Sequence, residues 1–237
     1  MSNYSAPVRD MRFVMQELAG LDQVALLPGC EEAAQDVVDA ILDEANKFAS
    51  NVLAPLNRSG DQEGSQWKDG EVIVPKGFKE AYKQFAEAGW MALACDAEFG
   101  GQSLPKLVST PVLEMWKASN LAFSLCPMLT TGAIEALMVA GSDELKQKYV
   151  PNMVSGTWSG TMNLTEPQAG SDLAAVKTRA VPQGDGTYKI FGQKIFITYG
   201  EHGMSENIIH LVLARTPDAP EGVKGISLFV APKFHVN

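Results

Sequence analysis

The chain has 237 residues, a length of one to two domains. With 46% apolar and 20% charged residues, its composition is that of a soluble globular protein and excludes a disordered, collagenous or disulfide-stapled one. A net charge of -9 argues against nucleic-acid binding, which needs Lys and Arg in excess. The charge is uneven. Residues 161–237 balance 7 acids with 7 bases, whereas residues 1–160 carry 21 acids against 12 bases, a first sign of two parts.

Residues 1–10 are polar and lack the apolar core of a signal peptide, so the expected compartment is the cytoplasm or an organelle matrix. Over 31–53, apolar residues such as Val38, Leu42, Ala45 and Phe48 recur at steps of three and four. That spacing predicts one long helix, with Pro55 as its end. Phe78, Tyr82 and Phe85 predict a shorter helix closed by Gly89. A loop follows over 96–105. Helices are then predicted over about 106–117 and 122–139. Residues 121–141 are the most apolar stretch, but Pro127, Thr130, Thr131 and Glu135 interrupt it, so a buried helix is expected and not a membrane span. Ser142 reads as an N-cap for a helix that passes Tyr149 and stops near Pro151, with Asp143 and Glu144 in its first turn.

After Gly156 the pattern changes. A short mixed stretch lies at 161–165. Strands are predicted at 188–191, 194–198, 208–214 and 225–230 from their β-branched and aromatic content. Gly184, Asp185 and Gly186 supply a turn before the first of these. The predicted fold class is α+β: an N-terminal α-helical bundle over 1–158, then an antiparallel β domain over 159–237.

Few motifs carry chemistry on spacing alone. Cys30, Cys95 and Cys126 are far apart, and His202, His210 and His235 do not pair at metal-ligand spacing, so no metal site is expected. Nucleophile-elbow, Walker and Gly-x-Gly-x-x-Gly patterns are absent. The segment 165–172 is a strand leaving into a loop. Its exposed amides and the Ser171 hydroxyl suit a phosphate, and a plain turn capped by Ser171 or Asp172 explains the same residues.

The wording of the chain adds to this. Residues 161–172 (TMNLTEPQAGSD) resemble the signature of the flavin-dependent acyl-CoA dehydrogenases. Residues 89–101 (GWMALACDAEFGG), 141–156 (GSDELKQKYVPNMVSG) and 192–200 (GQKIFITYG) resemble further stretches of the same family, in family order. Residues 6–20 (APVRDMRFVMQELAG) resemble the extension of its longer branch, which includes 3-methylmercaptopropionyl-CoA dehydrogenases. The resemblance implies a helical domain, a β domain and a further C-terminal helical domain, with FAD between the last two. It implies that Met162 and Leu164 line the isoalloxazine, and that Thr165 bonds its pyrimidine edge. Gly170 and Ser171 would meet the pyrophosphate, Ser171 would also approach the CoA thioester, Phe196 would pack on the ring, and Thr198 would bond the hydride-accepting nitrogen. Met162 and Phe196 stand where the best-known members carry tyrosine and tryptophan, so a polar handle is lost at each. Read without the resemblance, Met162, Leu164 and Phe196 are better taken as barrel core, and Thr165 and Thr198 as plain strand formers.

The implied reaction is α,β-dehydrogenation of an acyl-CoA, with a carboxylate base removing the α-proton. Glu166, Glu201 and Glu206 match no catalytic position of the family, so the base is expected beyond Asn237. The chain is therefore expected to be an N-terminal fragment that binds FAD weakly and turns over no acyl-CoA alone. The implied partners are an acyl-CoA substrate, an electron-transfer flavoprotein or other acceptor, and further copies of the full-length protein in a homo-oligomer. An acyl-CoA oxidase, another flavoenzyme on this fold and a non-catalytic scaffold are the competing expectations.

Overall fold

The computed structural model describes residues 4–236. The N-terminal segment forms α1 (Val8–Phe13), a wide π turn (Val14–Leu18) and the short α2 (Leu21–Val24). Helix α3 (Gln35–Phe48) turns Val38, Leu42 and Ala45 into the core, as its apolar stripe requires. Pro55 does not end the helix. A π segment (Ala49–Leu53) leads directly into α4 (Ala54–Glu63), with Pro55 in the first turn of α4. A first-turn proline withholds an amide that would have had no intrahelical partner, and the wide turn before it gives its ring room. Asn120 Nδ2 donates to the Leu53 carbonyl at 3.1 Å, at the end of that turn.

Strands β1 (Gln66–Lys68) and β2 (Glu71–Ile73) form a small antiparallel hairpin. Asp69 and Gly70, at φ 53° and 89°, make its two-residue turn. An Asp-Gly pair is the usual signal for such a turn, and here the strands are too short and exposed to show a pattern. Helix α5 (Phe78–Glu87) ends as expected, with Gly89 following at φ +72°. Helices α6 (Lys106–Ser119), α7 (Leu121–Ala140) and α8 (Asp143–Val154) complete the helical part. The Ser142 hydroxyl accepts from the Leu145 amide at 3.3 Å, the expected cap. Helix α8 runs through Pro151 to Val154.

The helical core is built on aromatic rings. Trp116 meets Phe48, Phe85 and Trp90 with centroids 5.4, 5.9 and 5.2 Å apart, all edge-on. Helix α7 is long and apolar enough to cross a membrane by length and composition. In this fold it buries Phe123, Cys126, Ala133, Ile134 and Leu137, and it packs on α6, α8 and the first long strand.

That strand is β3 (Trp158–Asn163). It pairs with β6 (Asn207–Ala214), and β6 pairs with β7 (Ser227–Pro232). Strands β4 (Arg179–Pro182) and β5 (Tyr188–Phe191) form a separate hairpin around Gly184 and Gly186. The α+β organisation is the expected one. The hairpin β4–β5 is antiparallel, but the three-stranded sheet β3–β6–β7 is mixed: β6–β7 is antiparallel, and β3 and β6 run parallel. Parallel neighbours need a long crossover, and residues 164–206 supply it. Gly160 lets β3 sit directly on the helices, since a Cβ there would lie 2.6 Å from both Ala133 Cβ and Met153 Cε. Its amide donates to Thr130 Oγ1 on α7 at 3.0 Å.

One predicted strand is absent. Residues 194–198 are irregular, because Phe196 (φ 56°) and Tyr199 (φ 52°) take the left-handed conformation and break the extended run. The β-branched and aromatic composition of the segment signals a strand, and the structure overrides it.

Candidate functional site

Strand β3 has a neighbour on each side. One is β6. The other is the irregular segment 194–198, held by three bonds. Thr161 Oγ1 donates to the Thr198 carbonyl at 2.8 Å. The Ile195 amide donates to the Thr165 carbonyl at 2.9 Å, and Lys194 Nζ donates to the Leu164 carbonyl at 3.0 Å. The sequence elements 161–165 and 194–198 are thus side by side, in opposite directions.

Phe196 stands out on this face. Its side chain is 88% exposed, and it belongs to neither hydrophobic core. A bulky residue at positive φ is strained, and this one does not recover the strain by burying its ring. Thr198 is also exposed, and Tyr199 beside it is anchored through its hydroxyl to the Ala122 carbonyl at 2.7 Å. Phe196, Thr198 and Lys194 line an open groove of about 620 Å³ with Asn163, Ala122 and Val74. Asn163 Oδ1 is buried there and has no partner among the described residues.

Other expected site residues sit apart from this groove's lining. Met162 is half-buried and packs against the second core cluster, beside Ile209 and Leu211. Leu164 and Thr165 are half-buried at the end of β3. Gly170 and Ser171 lie on an exposed loop. That loop is closed by Glu166 and Ala169, whose amides and carbonyls bond each other at 2.9 and 3.0 Å. Asp172 caps the turn that follows, accepting from the Ala174 amide at 3.0 Å. No hydrogen bond among the described residues engages the hydroxyls of Thr165, Ser171 or Thr198.

Glu166 is the residue whose part the sequence did not disclose. It is only 3% exposed. Its carboxylate accepts from Lys194 Nζ at 2.8 Å, Thr178 Oγ1 at 2.5 Å, the amides of Lys177 and Thr178 at 2.8 and 3.0 Å, and Gln168 Nε2 at 2.6 Å. Burial alone pushes its pKa up, but the Lys194 ammonium, the Thr178 hydroxyl and the two amides reverse this and hold it down at about 2. A carboxylate this well satisfied and this acidic is no proton acceptor. Its contact with Lys194 lies 28 positions away in the chain, so no local pattern announces it.

His202 is buried below the same face. Its Nδ1 accepts from the Met204 amide at 3.2 Å, so Nε2 carries the proton toward Ser159 Oγ at 3.1 Å. Burial pulls its pKa down to about 4. Ser159 in turn bonds Ser205 Oγ at 2.9 Å. With Nε2 as donor, His202 does not activate Ser159, and the cluster is a closed structural network.

The chain matches known proteins in sequence and in fold. The acyl-CoA dehydrogenase N-terminal domain matches residues 35–157, and the acyl-CoA dehydrogenase middle domain matches residues 161–236. The chain is 53% identical, over 98% of its length, to 3-methylmercaptopropionyl-CoA dehydrogenase of Ruegeria pomeroyi, of which it covers 39%. Butyryl-CoA dehydrogenase of Megasphaera elsdenii has a similar structure, with TM-score 0.69 and 25% identity over 84% of this chain and 49% of that one. The FAD complex of PigA is also similar, with TM-score 0.66 and 26% identity over 84% of this chain and 49% of that one. The chain spans about two fifths of the length of the curated relatives it matches.

Proposed function

Since the chain belongs to the acyl-CoA dehydrogenase family, we propose that it forms one wall of an FAD site in an enzyme that dehydrogenates acyl-CoA thioesters between Cα and Cβ. In this reading residues 1–158 form the helical unit and 159–237 the β unit. The observation that carries the reading is Phe196: an aromatic ring, fully offered to a groove, on a backbone conformation that burial does not compensate. A flat ring system laid on it would bury that apolar surface. The FAD-bound relative supports the choice of ligand.

When bound, FAD supplies the acceptor for the β-hydride. The chain's own residues bind and orient. Thr165 and Thr198 each hold a hydroxyl that no other described residue engages, beside the Phe196 segment and suited to polar atoms along the edge of a ring. Donors there stabilise negative charge that develops on reduction. Gly170 and Ser171 offer an exposed loop and the Ser171 hydroxyl to a pyrophosphate and to the CoA arm. In this reading Met162 and Leu164 add half-buried apolar surface beyond the groove's lining.

The proton acceptor is not assigned to a residue of this chain. Glu166 is buried and pinned, Glu201 is paired with Lys233 at 2.5 Å, and Glu206 lines a different groove beside Tyr82 and Lys83. An electron-transfer flavoprotein or other acceptor would take the electrons. The reaction is tested on the FAD-loaded protein at the length of its relatives, mixed anaerobically with a short-chain acyl-CoA. Bleaching of the oxidised-flavin band with formation of enoyl-CoA is expected. Bound flavin that no acyl-CoA bleaches would overturn the proposal.

A further inference from the structure

Segment 194–198 is fixed at both ends and bowed in the middle. At one end Thr161 Oγ1 holds the Thr198 carbonyl. At the other, the Ile195 amide and Lys194 Nζ hold the carbonyls of Thr165 and Leu164. Between them the left-handed Phe196 projects outward. The Lys194 end is anchored by charge. Its ammonium, on a side chain 9% exposed, divides its bonds between Leu164 and Glu166.

Glu166 draws its donors from three separate stretches of chain. Gln168 comes from its own loop, Lys177 and Thr178 from the stretch that follows, and Lys194 from the bowed segment. Gln168 Nε2 also reaches the Ala175 carbonyl at 3.1 Å, tying the loop to that following stretch a second time. An ion pair that served burial alone would be replaceable by apolar residues of the same shape. This one sits where the loop bearing Thr165, Gly170 and Ser171 meets the segment bearing Phe196 and Thr198.

We propose that the Glu166–Lys194 pair is a positioning device. It sets the spacing between the Thr165 loop and the Thr198 segment, and with it the fit of a ring held by both. The inference rests on the FAD reading above and goes beyond it, since that reading gives Glu166 and Lys194 no part: Lys194 lines the groove, but its ammonium is turned to Leu164 and Glu166. Their effect on binding is exerted through Thr165 and Thr198.

The test compares the 237-residue chain with Lys194→Met and with the double variant Lys194→Met/Glu166→Gln. The double variant removes the unpaired buried charge that the single change leaves behind. FAD binding is followed by flavin fluorescence, and backbone order by amide hydrogen exchange. The double variant is expected to bind FAD roughly tenfold more weakly. Exchange should quicken in 165–171 and in 195–198 together, while α5, α6 and α7 keep their protection. If FAD affinity and the exchange of both segments stay as in the unaltered chain, or if only 173–178 loosens, the pair is merely structural and the inference is wrong. If the unaltered chain binds no FAD, the functional reading fails, and the exchange result still decides the positioning role. Should the double variant not fold, Thr178→Val removes one donor to the same carboxylate oxygen and is read by the same paired exchange.

Discussion

Around Trp116 the chain closes on itself. Phe48, Phe85 and Trp90 surround its indole, and Trp116 is 1% exposed. Around Phe196 the opposite holds. A ring lies in the open, hydroxyls on both flanking segments have no partner among the described residues, and the backbone is left-handed at two positions. The first region is arranged for folding, with apolar area removed from water and rings edge-on. The second spends backbone strain without burial, which marks surface held ready for something else. Strain and exposure at one residue, inside an otherwise well-packed molecule, point to the ligand side more firmly than either does alone.

The contrast can be broken at its strongest point by Trp116→Ala. Removing that ring should cost about 3–5 kcal/mol, read by urea or thermal unfolding. A loss under 1 kcal/mol, measured against that ~3–5 scale, would mean the aromatic cluster is not the stabilising centre. Next in size is the effect of pH. Burial holds the folded His202 pKa at about 4, below its ordinary ~6.5. Between those values the unfolded chain binds the extra proton, so this contribution is complete above the unfolded pKa and is lost as pH falls through about 4. The His202→Gln variant should show a flatter melting profile in that window. Glu166, held at about 2, gives a separate, more acidic step: its stabilisation is present above the ordinary carboxylate pKa and lost as pH falls through about 2.

The smallest expected stability effect is at Phe196. Phe196→Gly relieves the left-handed backbone and removes no buried area, so stability should hold or rise by about 1 kcal/mol. FAD binding should weaken in the same variant. Destabilisation with unaltered FAD binding would place Phe196 with the folding residues and dissolve the comparison.

Much of the helical part was legible because periodicity and caps act locally. Phe78, Tyr82 and Phe85 share one buried face, Gly89 follows the helix at positive φ, and Ser142 caps the next. Pro55 misled because a π turn, which no residue announces, carried the helix past it. The motif around 161–172 and the segment 192–200 were readable as wording, but their geometry was not. Composition made 194–198 a strand, and the left-handed Phe196 within it, with Tyr199 just after it, unmade it. The parallel pairing of β3 with β6 and the Lys194–Glu166 bond are set by tertiary approach, which neither local propensity nor spacing encodes.

The most direct test of the Phe196 face as a cofactor surface is a titration of the 237-residue chain with FAD, followed by the visible flavin spectrum. A saturable shift of the flavin bands, lost in Thr198→Ala and in Phe196→Gly while both variants stay folded, is the expected result. A flavin spectrum that the chain leaves unchanged at every concentration, or a shift that both variants retain in full, would contradict it.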